Sequence, residues 1–368
     1  MKRILVFFGT RPEALKLAPV IQAIKTQKHF EVCSILTAQH REMIDQVIQL
    51  FGIRVDMDLD LMTTNQTLAS LSERLMGRLG KVFDQFHPDL VMVEGDTTTA
   101  FIVALYSFYH RVPVAHVEAG LRTGNKYHPF PEEVNRRLIT HLSDYHLAPT
   151  REAQSNLLRE GVERKRIAVT GNTVIDSLFW VRDHLKRTYP RFKSIDFRRR
   201  TILLTAHRRE NIGQPLVEIT RAVRTLLSKF PDLQIIYPVH LNPGVQKIVR
   251  DNLKSVKRAY LFPPLPYDET VYLMSKATLI LTDSGGVQEE APSLGKPVLV
   301  LRQVSERMEG VRAGALKIVG TESKKIVTET SRLLISTRAY SRMARVRHVY
   351  GDGLAAERIA KQLKRWLA

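Results

Sequence analysis

Ser284, Gly285 and Gly286 stand between an apolar run, Ala277 to Leu281, and a helical stretch from Val287 that Gly295 and Pro297 stop. A helix opening on these residues leaves backbone N–H groups unpaired, and two glycines let an anion come close. The chemistry this turn invites is the binding of a phosphate or diphosphate. Glu289 and Glu290 follow about one turn further in, where a carboxylate accepts hydrogen bonds from sugar hydroxyls. Together these residues read as a nucleotide-diphosphate site. The plain alternative is a strand-to-helix turn capped by Ser284, and the local sequence leaves both open.

Other turns carry further candidates. Gly9-Thr10-Arg11-Pro12-Glu13 ends the first apolar run and is not G-x-G-x-x-G, so the dinucleotide fingerprint is missing where it would stand. That speaks against a nicotinamide enzyme. Pro12 suits a first helical position and Arg11 can aim a guanidinium at a ligand, against the alternative of an ordinary capped turn. Asp96, in Glu94-Gly95-Asp96-Thr97, reads either as an N-cap or as an acid. Glu118 closes an apolar strand, where partial desolvation lifts a carboxylate toward the range of a general base. Glu132 and Glu133 follow Pro131 at a helix start, a place the helix dipole favours for acids. Asn135 and Arg136 beside them favour a functional reading. In the second half, His207-Arg208-Arg209 at a strand end invites an anionic leaving group, with His207 a candidate proton donor. His240 reads equally as a functional residue or as one that only caps or packs, and the turn Arg302 to Met308 adds Glu306 and Arg307. No His, Asp or Glu cluster has metal-ligand spacing, so no metal is assigned.

These turns need elements to hold them, and strand and helix patterns alternate along the chain. Strands are expected at Arg3 to Phe8, Val32 to Thr37, Leu90 to Glu94, Pro113 to Glu118, Tyr145 to Ala148 and Ile167 to Thr170, with helices between them. Alternation resumes with strands at Ile202 to Thr205, Gln234 to Val239, Ala259 to Phe262 and Val298 to Leu301, and helices then fill most of the remainder. The class is α/β: two doubly wound Rossmann-like domains with a cleft between them, divided as residues 1–172 and 173–353. The marked turns fall at the carboxyl ends of strands, where such sheets bind ligands. The basic, irregular stretch Thr188 to Arg200 is the expected hinge.

Composition narrows the partners. The formal net charge of +19 raises a nucleic-acid partner. Yet the basic residues are spread along the chain without a recognisable nucleic-acid motif. The densest cluster, Lys186 to Arg200, reads better as a solvated connector, and the field also steers a phosphate-bearing substrate. The single cysteine, Cys33, fits a reducing compartment, the opening MKRILVFF is too short for a signal peptide, and no run reaches membrane-spanning length. A cytoplasmic protein with no membrane partner is expected.

Quoted side by side, GTRPEALKLAP, TAQHREM, GDTTTA, HVEAGLRTG, PFPEEVNR, GNTVID, HRREN, PVHLNP and LTDSGGVQEEAPSLGKP resemble the non-hydrolysing UDP-N-acetylglucosamine 2-epimerases over essentially the full length. The resemblance implies a glycosyltransferase-B type fold, a C-terminal helix, 354–368, packed back on the N-terminal domain, and a homodimer. It implies reversible epimerisation at C2 of UDP-GlcNAc to UDP-ManNAc by eliminating UDP to 2-acetamidoglucal and adding it back, with no cofactor. Matched motif to motif, it places catalytic roles on Asp96, Glu118, Glu132 and His207. Substrate binding falls on Arg11, Lys16, Arg136, His240, Ser284, Gly285, Gly286, Glu290 and Arg307. Glu290 would hold the ribose, the Ser-Gly-Gly turn the diphosphate, and His207 or Arg307 the developing charge. The resemblance also implies a second UDP-GlcNAc pocket at Gln39, Glu42, Asn65, Glu132, Arg208 and His240. Glu42 and Asn65 depart there from the residues of regulated members, so no dependence on a second ligand is expected. Thr270 stands where many members place a Phe near the uracil, and Met308 where a Pro follows Glu-Arg. Two rivals remain: a glycosyltransferase on the same fold, and a nucleic-acid-binding protein resting on charge alone.

Overall fold

The computed structural model describes residues 1–37, 41–62 and 66–367, with the side chains of residues 41–43 left aside. The chain forms two compact units, Met1–Ser177 with Tyr350–Ala368, and Leu178–Val349. Each is built on one parallel sheet.

In the first unit the strands are β1 (Lys2–Phe8), β2 (Phe30–Leu36), β3 (Met57–Asp58), β4 (Leu90–Glu94), β5 (Val114–Val117), β6 (Tyr145–Ala148) and β7 (Ile167–Val169). They lie in the order β3-β2-β1-β4-β5-β6-β7. Ile4 to Phe8 are all buried, as a strand covered by helices on both faces requires, and this is why the run is apolar without alternation. The order reverses direction beside β1, so the turns after β1 and β4 flank the switch point where doubly wound sheets take their ligands. The helix Ala355–Leu367 closes this unit: the Asp176 carboxylate accepts the amides of Ala355 at 3.3 Å and Ala356 at 2.8 Å, and Trp366 stacks on Tyr145 with ring centroids 4.4 Å apart.

The second unit repeats the plan with β8 (Arg200–Thr205), β9 (Leu233–Pro238), β10 (Ala259–Phe262), β11 (Leu279–Thr282), β12 (Val298–Val300) and β13 (Leu316–Ile318) in the order β10-β9-β8-β11-β12-β13. Its switch point lies between β8 and β11, whose registered pairs run from Leu279 with Ile202 to Thr282 with Thr205.

Three expectations are corrected. The stretch Thr188 to Arg200 is not a hinge: Tyr189, Phe192 and Ile195 are buried, and Phe192 stacks on Tyr272 and meets Phe262 edge-on inside the second unit. Its basic residues face water while its aromatics anchor it. The segment after Leu301 contains a further strand, β13, and the helix after Ser284 begins at Gly285 rather than Val287.

Candidate active site

In the first unit, the helix Arg11–Lys25 starts on a complete capping box between Thr10 and Glu13. Glu13 is buried; its Oε2 accepts the amides of Gly9 at 2.9 Å and Thr10 at 2.7 Å, and its Oε1 accepts the Thr97 hydroxyl at 2.6 Å. This carboxylate ties the turn after β1 to the turn after β4. Burial raises its pKa, against the pull of those hydrogen bonds. One turn further along the same helix, Lys16 donates to Glu94 Oε1 at 2.9 Å and Glu118 Oε2 at 2.6 Å. Register explains the meeting: Glu94 pairs with Val117 across β4 and β5, so Glu118 is the next residue beyond the sheet edge. Glu118 takes φ of 63°, a left-handed conformation that costs a non-glycine residue about 1–3 kcal/mol and marks functional turns. Its Oε1 accepts Asn172 Nδ2 at 3.1 Å. Burial holds Glu94 well above the ordinary carboxylate range; Lys16 opposes that and Glu118 adds to it.

Asp96 is not the N-cap it resembled. The Thr97 hydroxyl accepts the Ala100 amide, and Asp96 instead takes Arg136 Nε at 2.8 Å and Nη2 at 2.7 Å on its Oδ2. Asn135 fixes the same turn through the Asp96 carbonyl at 2.9 Å. Arg136 also reaches Glu133, whose carboxylate accepts the amides of Thr123 and Gly124. Those bonds outweigh the burial of Glu133 and leave its pKa lowered. Glu132, at the start of the same helix, has a buried Oε2 without a hydrogen-bond partner among the described residues. Arg11 is half-buried and makes no hydrogen bond or ion pair among the described residues.

The second unit gathers another set at its own switch point. Asp283, fully buried, accepts the amides of His207 at 2.8 Å and Arg208 at 2.9 Å and the Asn211 side chain at 2.9 Å on one oxygen. The His207 ring stacks on that of His240, centroids 5.6 Å apart. Burial lowers the His207 pKa, with Asp283 opposing and His240 reinforcing, so the imidazole is neutral at neutral pH. Ser284 stands at the N-cap position but makes no side-chain capping hydrogen bond, so the plain-turn alternative lacks its defining contact. The Arg307 guanidinium lies against Gly285, where an added Cβ would sit 3.3 Å from its Cζ, and pairs with Glu289 at 2.7 Å and Glu306 at 2.7 Å. Glu290 accepts the buried Tyr267 hydroxyl at 2.8 Å. Thr270 spends its hydroxyl on the Pro266 carbonyl at 2.9 Å.

Gln39 and Asn65 lie outside the described residues, as does the Glu42 side chain. Sequence reasoning missed Glu13, Glu94, Asn172, Asp283 and Tyr267. Glu13 alone had a readable signal, the Thr-x-x-Glu capping box. Among the described residues no group of three or more His, Cys, Asp or Glu side chains is placed to hold a metal ion, and no helix is long and apolar enough to cross a membrane.

The profile of the UDP-N-acetylglucosamine 2-epimerase family matches residues 22–364. A UDP-N-acetylglucosamine 2-epimerase of Yersinia pestis is 50% identical over 369 residues, covering 98% of both chains. The chain belongs to the UDP-N-acetylglucosamine 2-epimerase family. Its Escherichia coli K12 relative of that name is 49% identical, again over 98% of each chain. A crystal structure of the family from Neisseria meningitidis, bound to UDP-GlcNAc, superposes with a TM-score of 0.92 at 46% identity, covering 99% of this chain and 100% of that one. An epimerase from Methanocaldococcus jannaschii, in complex with UDP-GlcNAc and UDP, gives 0.82 at 32% identity over 99% and 100%. Like other members of the family, the protein is an epimerase, with two parallel-sheet α/β units of the glycosyltransferase-B type.

Proposed function

We propose that this epimerase interconverts UDP-GlcNAc and UDP-ManNAc by eliminating UDP to give 2-acetamidoglucal, then adding UDP back at C1 while a proton returns to C2 from the opposite face. The C2 proton sits beside no carbonyl, so simple deprotonation and return faces too high a barrier. Elimination avoids it, because the electrons of the C2–H bond form the C1–C2 double bond while UDP departs with the C1–O pair. Since C2 inverts and C1 does not, protons pass on two faces of the sugar, which calls for more than one carboxyl group. The observation that carries this reading is the Lys16–Glu118 pair at 2.6 Å, beside Asp96 bound to Arg136, in a chain of this family. The solved relative bound to UDP-GlcNAc supports the ligand.

In this scheme Glu118, Asp96 and Glu132 are the proton carriers. The amides of Ser284, Gly285 and Gly286 take the diphosphate and Glu290 the ribose. His207, neutral, donates a hydrogen bond to the leaving group, and Arg307, whose guanidinium lies against Gly285, adds positive charge at that turn. Arg11, Lys16, Arg136 and His240 complete the binding set. No cofactor enters. The enzyme is read as cytoplasmic and as a homodimer, the second of which light scattering tests directly.

The test is proton NMR of UDP-GlcNAc with the pure protein in deuterium oxide and no additive. UDP-ManNAc carrying deuterium at C2 is expected. Full protium at C2, or a requirement for added NAD, overturns the scheme.

A further inference from the structure

We propose that Glu94 is a positioning residue for Glu118, acting through the Lys16 ammonium that the two carboxylates share. The inference rests on the epimerase reading above and adds a residue to it. Glu94 ends β4 at 2% exposure, with Lys16 Nζ 2.9 Å from its Oε1 and 2.6 Å from Glu118 Oε2. One ammonium between two buried carboxylates leaves the trio with a net negative charge when both are ionised. Such a pair holds a shared proton and titrates in two steps that belong to the pair rather than to either residue. Burial, with Glu118 adding to it, raises the proton affinity on the Glu94 side.

The consequence falls on Glu118. A carboxylate paired alone with a buried ammonium is a weak base, because the ion pair stabilises its charged form. With Glu94 on the other side of Lys16, the ammonium's field is divided, and once the pair has lost its shared proton a second negative charge stands close. Glu118 then binds a proton more tightly and sits nearer the range in which a general base works at neutral pH. The proton that leaves C2 forms an O–H bond on Glu118, and Glu94 touches no substrate atom.

Other groups among the described residues bear on this trio. Glu13 adds a further carboxylate on the Glu94 side, held by the Gly9 and Thr10 amides and the Thr97 hydroxyl. Arg136 is paired with Asp96 and Glu133. His116 is kept neutral at neutral pH by burial, and Asn172, which donates to Glu118, is uncharged.

The experiment compares kcat and kcat/KM for wild type, Glu94→Gln and Glu94→Asp over roughly pH 5 to 9. For Glu94→Gln the acidic limb of kcat/KM is expected about one pH unit lower and the plateau kcat about tenfold down, with KM changed far less. Glu94→Asp, which keeps the charge, is expected to hold the limb near its wild-type position. A Glu94→Gln enzyme that loses activity by one factor at every pH, with the limb unmoved, overturns the proposal, as does an unaltered profile. Infrared titration needs no turnover and separates this failure from that of the epimerase reading. A protonated-carboxyl band is expected in the wild type near neutral pH and absent from Glu94→Gln. If wild type fails to epimerise, the comparison of bands still decides; if Glu94→Gln fails to fold, Glu118→Gln takes its place, loss of the band supporting the shared proton and its survival overturning it.

Discussion

Asp283, at the end of β11, holds the backbone of His207 at the end of β8: its Oδ2 accepts the His207 amide at 2.8 Å, while its Oδ1 lies 3.5 Å from His207 Nδ1. Glu13 plays the same part in the first unit, joining the amides after β1 to the Thr97 hydroxyl after β4. In each sheet a buried carboxylate bridges the two turns that flank the switch point. Those turns carry Arg11 and Asp96 in one unit and His207 and Ser284 in the other.

Replacing Asp283 with Asn removes the charge that three donors share on one oxygen and leaves them a neutral amide oxygen. Charge-assisted hydrogen bonds of this kind contribute about 1.5–3 kcal/mol each in net stability. A loss of that order is expected for Asp283→Asn by urea unfolding, together with a drop in activity larger than the stability loss explains at a temperature where the variant is fully folded. Unchanged stability would show that the bridge is dispensable.

The sheets were legible because parallel strands buried on both faces are continuous apolar runs, as at Ile4 to Phe8 and Leu279 to Leu281. Strands β3 and β13, two and three residues long, have too little pattern to announce themselves. Lys186 to Arg200 misled because its charges dominate composition while three side chains, Tyr189, Phe192 and Ile195, decide where it packs. At the site, the turns were visible and their pairings were not. Glu94 and Lys16 are 78 residues apart, and only the register of β4 against β5 brings Glu118 to the same ammonium. Asp96 looked like a cap because Asp and Thr compete for that position; Thr97 took it and freed Asp96 for Arg136.

Acid stability follows from two imidazoles that face each other in the first sheet. His116 and His146 are registered partners on β5 and β6, both buried, and each leaves Nδ1 without a hydrogen-bond partner among the described residues. Burial lowers the pKa of His116 to about 4 and, with His116 reinforcing it, that of His146 to about 3. Between the ordinary value of 6.5 and about 3, unfolded His146 holds a proton that the folded residue refuses. Stability therefore rises with pH across that window and is lost as the pH falls through it, at about 1.4 kcal/mol per unit for each such residue. His146→Gln is expected to flatten the plot of unfolding free energy against pH by roughly that slope below about pH 6. Parallel plots for the two proteins would place the acid sensitivity elsewhere.

Glu118 and Glu290 are expected to separate chemistry from binding. Glu118 sits on Lys16 in the first unit, in a left-handed turn of the strained kind that clusters at functional sites. Glu118→Gln keeps the size and the hydrogen bond to Asn172 while removing the base, so kcat is expected to fall on the order of 10² to 10⁴-fold with little change in KM. Glu290 lies on the helix that opens at Gly285 and accepts the Tyr267 hydroxyl. Glu290→Gln is expected to weaken UDP and UDP-GlcNAc by the same factor, because an interaction made equally in ground and transition states raises KM and leaves kcat in place. Calorimetric titration of UDP on both variants, alongside steady-state rates, makes the comparison. Two variants with matching profiles, both losing affinity or both losing turnover, would show that the two carboxylates are not divided in this way.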